Sequence, residues 1–80
     1  PQAFDDYEYF QKKDRRMVKR INQLLKSISR DGALDGIGKP EKLVGNFSGY
    51  YSRRINQEHR LVYTVNDNAI LVASCRYHYK

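Results

Sequence analysis

Apolar residues fall at helical spacing through the first part of the chain and alternate with polar ones through the last part. Phe4, Tyr7 and Phe10 recur at three-residue steps with Asp5, Asp6 and Glu8 between them, which predicts a short amphipathic helix over 1–12 with its acids near the positive end. A second helix is expected at once. Asp14 is placed to cap it, Met17, Ile21, Leu24, Leu25 and Ile28 form its apolar stripe, and Asp31 with Gly32 supplies the stop. The stripe reads as core. On the other face Arg15, Arg16, Lys19, Arg20 and Lys26 keep an exposed surface in water, or touch phosphate or an acidic partner.

Between 33 and 49 glycine recurs at 36, 38, 45 and 49, with Pro40 among them, so a loop without regular structure is expected there, carrying Lys39 and Glu41. After it come three segments with strand character, YYSRRIN, HRLVYTV and ILVASCRYHY, joined by turn-like NQE and NDN. They predict an antiparallel meander. Pairing Leu61, Tyr63 and Val65 with Cys75, Ala73 and Leu71 buries one continuous apolar face and requires a loop of odd length. The same register sends Arg60, Arg76 and His78 to the other face, and pairing Ile55 with Leu61 adds Arg54. The expected fold is α+β: a helical hairpin covers one face of a small antiparallel sheet and leaves the polar face open. It forms a single domain over 1–80, divided into a hairpin (1–32), a glycine-rich loop (33–49) and strands (50–79).

Eighty residues, with 40% hydrophobic, support one modest core and exclude a multi-domain reading. No apolar run approaches the roughly 20 residues that span a bilayer, and PQAFDDYEYF lacks the basic-then-apolar order of a signal peptide, so a cytoplasmic protein away from the membrane is expected. The single cysteine, Cys75, has no internal disulfide partner, and with His59 and His78 it shows no zinc spacing. Neither metal nor cofactor is expected. The net charge of +6 favours a polyanion or an acidic protein as partner, or simply solvates the helix surface.

Cleaving RNA without a metal takes three parts: a base for the 2′-hydroxyl, cations for the crowded phosphorane, and an acid for the departing 5′-oxygen. Glu41 is a candidate base, Arg60 and Arg54 a phosphate clamp through their planar forks, and His78 a candidate acid. Tyr77 and Tyr79 are placed to stack on a base or offer a hydroxyl. Singly these residues specify nothing. Together, on a basic sheet face, they reach an RNA-binding domain and no further.

The segments GIGKPEKL, SGYYSRRINQEHRLVY and CRYHY, with the helical AFDDYEYFQKKDRRMVKRINQLLKSI, resemble the YoeB/Txe toxins of the RelE superfamily over nearly the whole chain and in the same order. The resemblance implies a ribosome-dependent mRNA endoribonuclease toxin, neutralised by an acidic, partly disordered YefM-type antitoxin, with homodimerisation open. By position it implies Glu41 as general base, Arg60 as phosphate-stabilising arginine, His78 as general acid and Tyr79 as the tyrosine beside it. Arg54 and Lys39 match supporting cations, with Lys42, Arg76 and Tyr77 as further substrate contacts. Three departures stand out. The family's usual strand ahead of the first helix has no counterpart in these eighty residues, Lys80 follows the tyrosine where relatives commonly stop, and Val44 stands where some relatives have a basic residue, with Lys42 as the expected substitute. The rival readings are a non-catalytic module that holds RNA or an antitoxin tail, and a gyrase-inhibiting relative on the same scaffold.

Overall fold

The computed structural model describes residues 2–67 and 69–76. Two helices, α1 (Gln2–Lys13) and α2 (Arg15–Asp31), precede β1 (Glu41–Lys42), a single 3-10 turn at Gly45–Phe47, β2 (Tyr51–Arg54), β3 (Arg60–Asn66) and β4 (Ala69–Ser74). The four strands lie in chain order in one sheet, every neighbouring pair antiparallel. Among the described residues no helix is long and apolar enough to cross a membrane.

Asp14 separates the helices as its position predicts. Its backbone is extended, its N–H still donates to the Phe10 carbonyl at 2.8 Å, and its carboxylate accepts from the Arg16 N–H at 3.0 Å. Gly32 ends α2 with φ 102°, and its N–H returns to Ile28 at 3.0 Å. The inward face of α1 differs from the expected one. Phe4 is 61% exposed, whereas Asp6 and Phe10 are buried, because the Asp6 carboxylate has partners inside: the Gln2 amide at 2.8 Å and the Cys75 backbone N–H at 3.0 Å. The acid was expected in solvent. A buried carboxylate is stable only when hydrogen-bonded, and here both oxygens are.

Phe10, Met17, Ile21, Leu24 and Ile28 from the helices meet Ile55, Leu61, Tyr63 and Cys75 from the sheet side. Sinking a leucine such as Leu24 or Leu61 is worth about 2 kcal/mol. His59 joins this layer, its ring edge-on to Phe10 with centroids 5.0 Å apart.

The meander forms, with two changes of register. β3 and β4 pair Val62 with Ser74, as the expected phase requires. A bulge then shifts the ladder so that Tyr63 faces Val72, Val65 faces Ile70 and Asn66 faces Ala69, in place of the expected Ala73 and Leu71 partners. The connection from Asn66 to Ala69 is therefore two residues long and not odd. On the other side Arg53, not Ile55, lies opposite Leu61, and Arg54 opposite Arg60. A slip of two residues preserves the alternation of faces, so Arg54 and Arg60 still share one. The loop expected over 33–49 also contains the edge strand β1, too short to leave an alternating signature.

Candidate active site

β1 is what turns the sheet face away from the helices into a site. Arg54 donates its backbone N–H to the Gly38 carbonyl at 2.6 Å, and Leu43 donates to Tyr50 at 2.9 Å, so the segment between them is fastened along β2. Glu41 then lies opposite Ser52, and Ser52 opposite Val62. Alternation puts Glu41, Ser52, Arg54, Arg60 and Val62 on the face away from the helices.

There the side chains converge. Arg60 Nη1 is 3.1 Å from Glu41 Oε1 and 3.2 Å from Ser52 Oγ. The guanidinium is only 16% exposed while the carboxylate is 52% exposed, so a rigid cation is presented beside a reachable anion. As a source of stability the pair is minor, about 1 kcal/mol or less, since one partner is open to solvent. Both of these bonds are made through Nη1.

Lys39 and Arg54, both exposed, border a hollow of about 410 Å³ that also takes in Arg20 and Gln57. These cations extend the positive surface beside Arg60. A larger groove, about 730 Å³, lies on the outer side of the helices between Gln11, Arg15, Lys19 and Lys26, and includes none of the expected site residues.

Two expected contacts are elsewhere. Lys42 pairs opposite Tyr51, whose ring stacks on Tyr63 on the helix side, so Lys42 leaves β1 on the face opposite Glu41. Arg76 is not with Arg60: its guanidinium lies over the Tyr9 ring of α1, 3.5 Å from the centroid. β4 ends at Ser74, so strand alternation no longer assigns Arg76 a face, and its side chain packs on α1 instead. Tyr77, His78 and Tyr79 lie outside the described residues.

Two residues escaped the sequence reading. Ser52 is fully buried and braces Arg60 through its hydroxyl. Arg53, also fully buried, points into the helix side. Its Nε donates to the Tyr63 hydroxyl at 2.9 Å, Nη1 to Ser27 Oγ at 3.0 Å and the Ile37 carbonyl at 2.9 Å, and Nη2 to the carbonyls of Gly32 at 2.7 Å and Asp35 at 2.6 Å. Burial holds the Tyr63 hydroxyl above its ordinary range, against the pull of Arg53. Asp31 is held below the usual carboxylate range by Arg30 first, then by the Ser27 hydroxyl and the nearby charges of Arg30 and Arg53. The signal was available: once Arg54 goes to the open face, its neighbour in SRRI must go inward.

No group of three or more His, Cys, Asp or Glu side chains among the described residues is gathered to hold a metal ion. His59 packs on Phe10, and Cys75 is buried with its thiol pushed up to about 12 by burial first and by Asp6 second.

Comparison with known proteins gives one consistent answer. Residues 1–79 match the family model for the YoeB-like toxin of the bacterial type II toxin-antitoxin system. Toxin YoeB of Synechocystis sp. is 58% identical over 98% of this chain and 90% of its own length, and Toxin YoeB of Escherichia coli is 54% identical over 98% and 92%. In the YoeB-YefM complex from Staphylococcus aureus, the matched chain superposes with a TM-score of 0.95 at 72% identity, over 99% of this chain and 91% of that one. The YoeB dimer from the same organism gives 0.93 at 73% identity, over 99% and 91%. A family match across almost every residue, joined to relatives 54–73% identical, places this chain among the YoeB-like toxins of bacterial type II toxin-antitoxin systems.

Proposed function

We propose that this toxin is an endoribonuclease that cuts mRNA on the translating ribosome, by attack of the 2′-hydroxyl on the neighbouring phosphate without a metal ion. The observation that carries this reading is the close approach of Arg60 to Glu41 on the basic sheet face away from the helices. An incoming phosphate competes for the Arg60 fork and frees the Glu41 carboxylate, which takes the 2′-hydroxyl proton as the oxygen bonds to phosphorus. Arg60, braced by Ser52, stabilises the charge that builds on the phosphorane oxygens. His78 gives a proton to the 5′-oxygen as its bond to phosphorus breaks, with Tyr79 beside it. The products are a 2′,3′-cyclic phosphate and a free 5′-hydroxyl.

Lys39 and Arg54 hold the flanking backbone, and Tyr77 stacks on a base. Lys42 and Arg76 are left out of the site, because one faces away from Glu41 and the other lies on Tyr9. The partner that restrains the toxin is an acidic YefM-type antitoxin, in keeping with the S. aureus complex and with the net charge of +6. Pairing of two toxin chains follows the S. aureus dimer, and the site of action is the cytoplasm.

The termini of RNA recovered from ribosomes treated with the purified toxin test this. A 2′,3′-cyclic or 3′-phosphate end is the expected product. RNA that stays intact under every condition means a module that only binds, and loss of DNA supercoiling without RNA cleavage means a gyrase inhibitor.

A further inference from the structure

The segment that delivers Glu41 is weakly secured by its own strand. β1 has two residues and lies at the sheet edge, so few backbone hydrogen bonds hold it. The stretch before it, from Gly32 to Pro40, has no regular structure except turns, and Lys39 adopts a left-handed φ of 50°. Something other than strand pairing must fix where β1 begins.

Arg53 supplies that anchor. A buried guanidinium with no carboxylate bonded to it is costly unless its donors are satisfied, and here the acceptors are carbonyls drawn from the very segment in question. Gly32, Asp35 and Ile37 each accept from it, while Ser27 and Tyr63 tie the same group to α2 and β3. The Gly32 carbonyl lies just past the negative end of α2, which favours a cation there. The chain closes tightly around the group: a Cβ on Gly36 would meet Ser27 Oγ and come within 3.2 Å of Arg53 Nη1, and one on Gly38 would come within 3.2 Å of the Arg53 Cβ. The next residue, Arg54, then takes the Gly38 carbonyl on its backbone N–H, three residues before Glu41.

We propose that Arg53 is a positioning residue for the reaction: by gathering the 32–37 carbonyls it fixes the start of β1 and so sets Glu41 against Arg60. This rests on the reading of Glu41 as the base. Arg53 touches no substrate and acts through the loop. Lysine in its place keeps the charge but has one nitrogen where the three of the guanidinium reach Tyr63, Ser27, Ile37, Gly32 and Asp35, so the loop carbonyls lose donors they cannot replace.

The test uses the full chain on programmed ribosomes, with Arg53→Lys, Glu41→Gln and the double variant. Displacing a reacting group by about 1 Å costs roughly a hundredfold in rate. Arg53→Lys is expected to lower the single-turnover cleavage rate on that scale, leave the half-saturating toxin concentration unchanged, and add nothing to Glu41→Gln in the double variant. In amide exchange the Leu43 N–H is expected to exchange faster while that of Leu24 holds. Cleavage at the parent rate, or losses that multiply in the double variant, overturns the proposal. If Glu41→Gln itself cleaves normally, the general-base reading fails, and the exchange data decide the anchor alone: unchanged Leu43 exchange overturns it, faster exchange upholds the loop placement. Should Arg53→Lys not fold, Ser27→Ala, which removes one acceptor of Nη1 and the acceptor of the Ile37 N–H, is held to the same criteria.

Discussion

Asp6 on the first helix accepts the backbone N–H of Cys75 at 3.0 Å across 69 residues of chain, and so joins the start of the fold to the end of its last strand. Removing the carboxylate leaves that N–H buried without a partner. Asp6→Ala is expected to cost about 1 to 3 kcal/mol in urea unfolding. Asp6→Asn keeps an acceptor and is expected to cost less; equal losses would show that the bond to Cys75 is not what the acid contributes.

The Cys75 thiol, pushed up to about 12 by burial, is expected to resist alkylation at pH 8 in the folded protein and react on unfolding. Between its ordinary value of 9.0 and about 12 the folded chain keeps a proton that the unfolded chain has lost. Unfolding then releases that proton, and stability falls with rising pH by at most about 1.4 kcal/mol per unit. In Cys75→Ala the decline is expected to be shallower, with the remainder coming from Tyr63, whose hydroxyl is also raised by burial. Denaturant midpoints measured from pH 8 to 11 check this.

Asp14 caps the second helix, and its bond to Arg16 holds the carboxyl below its ordinary value of 3.8. Its contribution is present above that value and lost as pH falls through the lower folded one. Asp14→Ala is expected to reduce the unfolding midpoint at pH 7, and the gap from the parent chain is expected to close as the pH drops below 3.8. A gap independent of pH contradicts a charged cap.

Gly32 and Gly36 share nearly the same backbone, with φ of 102° and 104°, yet a Cβ at Gly32 meets nothing while one at Gly36 runs into Ser27 and Asp31. Both alanine variants carry backbone strain. Gly36→Ala is expected to lose about 1 to 3 kcal/mol more than Gly32→Ala, the cost of overpacking. Equal destabilisation in thermal melts would mean that the packing around Ser27 is looser than it looks.

Much of the fold was legible because local signals agreed. Asp14, the Met17 to Ile28 stripe and Gly32 each mark the same helix, and the β-branched and aromatic run from Leu61 to Val65 marks a strand. What was not legible was set by contacts distant in sequence. Phe4 lies outside and Asp6 inside because of a partner at Cys75, which no reading of the first helix alone reveals. The bulge between β3 and β4 leaves no trace in an alternating apolar pattern, nor does the end of β4 at Ser74, beyond which Arg76 packs on Tyr9.

For the site, face parity was enough to bring Arg54 and Arg60 together even though the pairing had slipped by two residues. Glu41 was a loop candidate whose role came from the family resemblance, since a two-residue strand in a glycine-rich stretch carries no periodicity. Ser52 and Arg53 were missed for opposite reasons. A serine in a strand looks neutral, and an arginine beside another arginine reads as surface until both are assigned to faces.

The central claim is that Glu41 and Arg60 act on one phosphodiester. Primer-extension mapping of mRNA on ribosomes, with the parent toxin and the folded Glu41→Gln variant at equal occupancy, tests it most directly. The account predicts discrete cleavage stops with the parent and a loss of about a hundredfold or more in their rate of appearance with the variant. Stops appearing at the same rate with both proteins would contradict it.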